Sequence, residues 1–315
     1  SSLAVRAFLD ELHAVLRADM TTEQLREAVS FCVSKANAAV KRHAQEHTEC
    51  HGMGTTLVSA VTNGSGAVIA AQSGTFHLTA LQEQLSGVEK KEYKDFPTLL
   101  VALKSGAIDG YIAEEPTAVD VCASDSSIGY IKLKNNDTGF AVTGDDNGIA
   151  IGVKKGSALT AQINAILAEK VTPAVQTALM EQIFTICTSP EDEKNLTFAL
   201  QSTNTDTSNG TLRVGMECAY NPFNWTQTND ANGAVRYGDG LYANGYDVQV
   251  ARFVAAELGM KLEIVRYDFD SLIGGIKSGN VDAIIAGMSP TAERLAEIDF
   301  TECYYKSELV IIYKK

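Results

Sequence analysis

Apolar residues recur at helical spacing from the start of the chain, at Leu3, Ala4, Ala7, Phe8, Leu12, Val15 and Leu16, which predicts an amphipathic helix. A second helix is expected after the cap-like Thr21-Thr22-Glu23, with Leu25, Val29, Cys32, Val33 and Ala36 on one face. Arg17 to Met20 reads as the turn of a helical hairpin. Two β-rich runs, 55–61 and 67–70, flank Asn63-Gly64 and carry a hairpin signal. The period then switches repeatedly. Strands are expected over 67–71, 110–113 and 148–154, and helices over 76–85, 96–104, 116–124 and 158–184, the last divided near Pro173. Such alternation predicts an α/β sheet with parallel pairs.

Residues 185–210 are rich in Ser, Thr, Asn and Asp and read as a linker. A second α/β unit begins at Thr211, with strands over 211–216, 261–267, 283–286 and 309–313 and helices over 248–258 and 271–278. At 315 residues the chain has room for two domains or one two-lobed unit. Its 45% hydrophobic and 21% charged content is that of a soluble globular protein. No apolar run approaches a membrane span. A net charge of −13 argues against nucleic acid as a partner. Six cysteines are widely separated with no CxxC pair, and reduced thiols are expected. Both ends of the chain read as cut, so the lack of a targeting signal carries no information. His43 and His47 lie four apart, near Cys50 and His51. Metal sites use that spacing, but a solvated polar helix end is the preferred reading and no metal is expected.

The chemistry concentrates in 284–294, where the apolar Ile284-Ile285-Ala286 runs into Gly287-Met288-Ser289-Pro290-Thr291 and then Arg294. Backbone N–H groups at a helix start attract anions, and an arginine fork grips a carboxylate at two points. Upstream, the loop 217–225 offers the flat apolar faces of Phe223 and Trp225 beside polar neighbours. Gly245-Tyr246-Asp247-Val248 opens a long helix, and Gly279-Asn280-Val281-Asp282-Ala283 leads into the strand before Gly287. Asp247 and Asp282 read as structural caps or turns. This order resembles the first lobe of the extracytoplasmic solute-binding proteins for polar amino acids, across nearly all of 211–315. Residues 67–184 resemble the second lobe, on Ala71-Gln72-Ser73-Gly74-Thr75, on 105–116 ending in Glu114-Glu115-Pro116, and on Gly148-Ile149-Ala150-Ile151-Gly152-Val153.

The resemblance implies an α/β, two-lobed periplasmic-binding-protein-like fold of type II in circularly permuted order, preceded by the helical hairpin. The segments are 1–66, the second lobe 67–184, the linker 185–210 and the first lobe 211–315. One hinge crossing is expected near 148–153, with 308–315 alongside it. Carried over residue by residue, Arg294 would take a ligand α-carboxylate with Ser289 and Thr75. Glu114, standing where aspartate is commoner, and the Gly287 carbonyl would hold the ammonium. Phe223 and Trp225 would flank the side chain. Each residue also has a plainer reading: a surface ion pair for Arg294, a helix-start acid for Glu114, a helix cap for Thr75 and core packing for Trp225. No catalytic residue, metal or cofactor is implied. The implied function is capture of a polar amino acid for an ABC importer, by a monomer in the periplasm or outside the cell, tethered or free. Enzymes such as cyclohexadienyl dehydratases, receptor ligand-binding modules and a non-functional fusion fragment are the alternatives. Residues 1–70 resemble a fragment of metal-dependent protein serine/threonine phosphatases, on Ala36-Asn37-Ala38-Ala39-Val40 and Gly52-Met53-Gly54-Thr55-Thr56. That family's metal-binding aspartate boxes are absent, so no phosphatase activity is expected.

Overall fold

A computed structural model describes residues 2–17, 20–47, 66–132, 140, 148–188 and 196–315. The expected strand at 55–61, the Asn63-Gly64 turn, Cys50 and His51 lie outside these residues. The chain divides into two compact units, 1–66 and 67–315.

In the first unit, α1 (Ser2–Val15) and α2 (Thr22–Glu46) form the expected hairpin and bury Phe8, Leu12, Cys32 and Ala36 against each other. The entry to α2 is a reciprocal capping box. Thr21 Oγ1 accepts from Gln24 N at 3.3 Å, and Gln24 Oε1 accepts from Thr21 N at 2.9 Å. The His43 and His47 rings lie 4.2 Å apart at the far end. Among the described residues, no cluster of three His, Cys, Asp or Glu is placed to hold a metal.

The second unit opens with β1 (Val68–Gln72), α3 (Phe76–Gln84), β2 (Glu89–Tyr93), α4 (Phe96–Ser105), β3 (Gly110–Glu114), α5 (Glu115–Ser124) and β4 (Ile128–Lys132). Then come β5 (Gly148–Val153), α6 (Leu159–Lys170) and α7 (Pro173–Thr188). The remainder is β6 (Thr211–Met216), β7 (Ala219–Tyr220), β8 (Asn224–Gln227), β9 (Val235–Gly238), β10 (Leu241–Asn244), α8 (Tyr246–Glu257) and β11 (Lys261–Arg266), followed by α9 (Leu272–Ser278), β12 (Ala283–Ile284), α10 (Ala292–Glu297), β13 (Asp299–Lys306) and β14 (Leu309–Lys314). Two mixed five-stranded sheets, in orders β2-β1-β3-β14-β4 and β11-β6-β12-β5-β13, form the two lobes. A small antiparallel sheet, β7-β8-β10-β9, decorates the second of them. In each lobe the central strands are nearly all apolar, as strands covered on both faces must be. Gly110–Glu114 and Gly148–Val153 are buried at every position.

The hinge differs from expectation. β5 lies wholly within the sheet of 211–315, antiparallel to β12 and β13, and it does not pair with β14. Instead β14 inserts antiparallel between β3 and β4, five registered pairs on each side, so the chain passes from one sheet to the other across Ser307 and Glu308. The strand order of each sheet therefore includes one strand from the far end of the sequence. Backbone pairing explains the difference: without β14 the inner edges of β3 and β4 would carry unmet N–H and C=O groups.

The polar stretch after α7 is not purely a linker. α7 continues to Thr188, beyond the expected end at 184. Phe198 and Leu200 are buried in the main core. Gln182 holds the strap at both ends, donating to Thr197 O at 2.9 Å and accepting from Ala199 N at 2.7 Å. Two apolar side chains among polar ones suffice to anchor it, because each buried ring or leucine contributes about 2 kcal/mol of apolar transfer. Cys32, Cys122, Cys187 and Cys218 are free thiols.

Candidate functional site

Ligand crevices of open α/β sheets lie beyond the carboxyl ends of the parallel strands. Here those ends converge. β1 ends at Gln72, β3 at Glu114, β6 just before Glu217, and the short β12 leads to Gly287 and Ser289. Between them lies a small cavity of about 10 Å³ lined by Gln72, Thr75, Glu114, Glu217, Tyr220 and Arg294, with His77, Phe76, Phe96, Phe269, Gly287 and Ser289 closing its walls.

Arg294 is 8% exposed. Its helix starts at Thr291, whose Oγ1 accepts from Arg294 N at 3.4 Å. The guanidinium donates to Ser289 O at 2.7 Å and crosses the cleft to Gly74 O at 2.8 Å. One face lies 5.3 Å over the Phe269 ring. Burial pulls its pKa down to about 10, opposed by the charge of Glu114, so it stays cationic at neutral pH. Gly74 has φ +71 with Asp270 Cβ 3.1 Å from any added Cβ, which explains a glycine at this cross-cleft contact. Gly287 is held more tightly: φ is +62 and a Cβ would sit 2.8 Å from the Tyr220 ring.

Glu114 faces the cavity from the end of β3, with Oε1 2.8 Å from His77 Nε2. Thr75 caps α3, accepting from Leu78 N at 3.3 Å and donating to Gln72 O at 2.6 Å. The Thr75 amide is engaged within the turn, with Gln72 O, and the Ser73 amide donates to Tyr93 O at the end of β2. Gln72 Nε2 bridges Lys94 O at 3.0 Å and, across the cleft, Glu217 Oε2 at 2.8 Å. Burial pushes the Glu217 carboxyl up to about 7, helped by Asp95 and Asp247 and opposed by the Gln72 amide and Arg266. Five buried polar atoms here have no hydrogen-bond partner: Gln72 Oε1, His77 Nδ1, Glu114 Oε2, Glu217 Oε1 and Tyr220 OH. Buried polar groups are ordinarily paired. Their concentration at one cavity marks a surface made to meet something polar.

Of the residues expected from the sequence, Arg294, Ser289, Gly287, Thr75 and Glu114 line this cavity, and Phe223 and Trp225 do not. Phe223 is fully buried within the first lobe, 5.0 Å from Tyr220 and 5.7 Å from Tyr305. Its loop is tied to the start of α8 by Asp247 N donating to Phe223 O at 2.8 Å. Trp225 pairs with Ala219 and Asn244 in the small sheet. Sequence reasoning missed Glu217, Tyr220, Gln72, His77 and Phe96. An acid directly after an apolar strand was the available signal for Glu217. Asp247 and Asp282 play structural parts. Asp247 is fully buried, 2.6 Å from Tyr304 OH and 2.8 Å from Asn224 Nδ2, and burial raises its pKa to about 6. Asp282 takes Arg213 in a bidentate pair.

The fold is a two-lobed α/β one, with the cavity between the lobes. Residues 212–315 match the family model of the bacterial extracellular solute-binding proteins, family 3. The chain is 34% identical over 125 residues to the arginine-binding extracellular protein ArtP of Bacillus subtilis, covering 38% of this chain and 44% of that protein. It is 42% identical over 72 residues to membrane-bound lytic murein transglycosylase F of Vibrio cholerae, covering 22% of this chain and 14% of the enzyme. Among solved structures, an ancestral arginine-binding protein bound to arginine is 38% identical over 29% of this chain and 35% of that one, with a TM-score of 0.24. The chain thus spans less than half the length of these three relatives.

Proposed function

We propose that residues 67–315 capture a basic amino acid between two lobes and deliver it to an ABC importer outside the membrane. Arg294 takes the α-carboxylate beside Ser289 and Thr75, and Glu114 with the Gly287 carbonyl takes the ammonium. Glu217 and Gln72 meet a cationic side chain. The observation that carries the reading is the set of five unpartnered buried polar atoms facing the same cavity as Arg294. The carboxylate oxygens of Glu114 and Glu217 and the amide oxygen of Gln72 are acceptors, which suits a ligand rich in N–H donors. Relatives whose names specify arginine accord with that preference.

The lobes stand in permuted order in this reading. Its support is β14, the last strand, which joins the sheet built from the first strands of the unit. The protein acts as a monomer with the importer's permease as partner. Residues 1–66 take no part in binding. The test is thermal shift of the chain against the twenty amino acids. Saturable stabilisation by arginine or lysine, lost in Arg294→Ala, is expected; silence across the whole set would leave a non-functional fusion fragment as the better account.

A second reading rests on Glu217, a buried acid titrating near neutrality beyond the zwitterion contacts, as a catalytic acid would. It makes the chain an enzyme of the cyclohexadienyl dehydratase type. Release of an aromatic product from a cyclohexadienyl acid, abolished in Glu217→Gln, would favour it over capture.

A further inference from the structure

We infer that Gln72 and Glu217 form a proton-held latch between the two lobes, the protonated carboxyl pairing with the amide through two parallel hydrogen bonds. Gln72 ends β1 in one lobe, and Glu217 follows β6 in the other. Both are buried, at 0% and 3% exposure. One of the two bonds is in place, Gln72 Nε2 donating to Glu217 Oε2 at 2.8 Å. The same nitrogen donates to Lys94 O at 3.0 Å. Its two hydrogens thus meet two acceptors, which fixes the amide orientation. The remaining oxygens of the pair, Gln72 Oε1 and Glu217 Oε1, are both buried without a partner.

Two acceptors cannot satisfy each other, and buried polar groups are ordinarily paired. A protonated carboxyl supplies the missing donor. With the proton on Glu217 Oε1, the O–H donates to Gln72 Oε1 while Oε2 keeps the amide N–H. A bridging water is the rival, but the cavity of about 10 Å³ is no larger than the roughly 10–15 Å³ that one water needs. The surrounding charges favour the neutral acid. Burial raises the Glu217 carboxyl to about 7, and the carboxylates of Asp95, before α4, and Asp247, in α8, add to the effect. Against them stand the Gln72 amide and Arg266 at the end of β11, whose Nε is engaged with the Glu217 backbone carbonyl at 3.2 Å. The Lys94 ammonium turns away to Asp268 at 3.1 Å. Across the cavity, Glu114 is held by His77, and Arg294 by the carbonyls of Ser289 and Gly74. Parting the lobes gives Glu217 to water, where it loses its proton to solvent. Rising pH therefore loosens the latch.

The inference stands apart from the amino-acid reading, and its experiment contains no ligand. Infrared difference spectra of the full chain, wild type minus Glu217→Gln, should show a protonated-carboxyl band at pH 5.5 that fades as pH passes about 7. Gln72→Leu should move that band to higher frequency, because a carboxyl freed of its hydrogen bonds has a stiffer C=O. Glutamine at 217 donates to Gln72 at every pH. Amide exchange over 72–78, corrected for its intrinsic pH dependence, should therefore accelerate between pH 5.5 and 8 by about tenfold more in wild type than in Glu217→Gln. A difference spectrum without the band overturns the inference, as does an unmoved band in Gln72→Leu or equal acceleration of exchange. If Gln72→Leu fails to fold, Gln72→Met takes its place with the same expected shift.

Discussion

Glu217 is the residue through which pH should reach the site. Its folded pKa of about 7 stands above the ordinary 4.5 because burial disfavours the charge. Without ligand, the folded state holds a proton that the unfolded chain releases. Stability therefore falls as pH rises from about 4.5 through about 7, a cost of roughly 3 kcal/mol once ionised. A cationic side chain favours the ionised form, so arginine affinity should rise between pH 5.5 and 8. Titration calorimetry across that range should show a several-fold rise in wild type and a flat profile in Glu217→Gln. A flat wild-type profile would remove Glu217 from the side-chain site. Gly287 gives a second prediction at this scale. With φ +62 and the Tyr220 ring in the way, Gly287→Ala should cost about 1–3 kcal/mol in urea unfolding, and it should weaken binding by shifting Tyr220.

Among the elements, β14 holds the most for its length. Val310 and Ile312 are fully buried, and the strand pairs on both sides. Ile312→Ala should destabilise by about 2–5 kcal/mol in denaturant melts; a loss under 1 kcal/mol would contradict the central placement of this strand. Its apolar run was plain in the sequence, but its neighbours were not, because pairing partners depend on which edge is open and not on local pattern. The strands that escaped sequence reading are β2, β4, β7 to β10 and β13, and β2 and the short ones have physical reasons. β2 is Glu-Lys-Lys-Glu-Tyr, an edge strand whose charges guard against pairing with another chain. β7 to β10 are four residues or fewer, too short to show a period. Helices with caps were readable nearly to the residue, as at Asp95 and Thr75. That Arg294 and Ser289 come together was legible because one contiguous motif holds both. The contact of Gln72 with Glu217 was not, since the two meet only through the tertiary fold, 145 residues apart in sequence.

At the scale of the whole molecule, every cavity residue belongs to 67–315. A chain lacking residues 1–66 should bind with unchanged affinity; a tenfold loss would give the helical hairpin a part in the site. The bonds spanning the cleft, Gln72 to Glu217, Arg294 to Gly74 O and Thr117 Oγ1 to Asn221 O at 2.9 Å, hold the two lobes together around the cavity. The exposed Lys94–Asp268 pair at 3.1 Å adds little. In the proposed function, ligand capture and lobe closure are one equilibrium, with the charges of the ligand replacing self-contacts of the protein. The most direct measurement is calorimetric titration of the chain with arginine beside Arg294→Ala. The account predicts saturable binding of one arginine per chain in wild type and at least a hundredfold loss in the variant, on the order expected when a buried charge loses its partner. Absence of heat in wild type, or equal binding by Arg294→Ala, would contradict it.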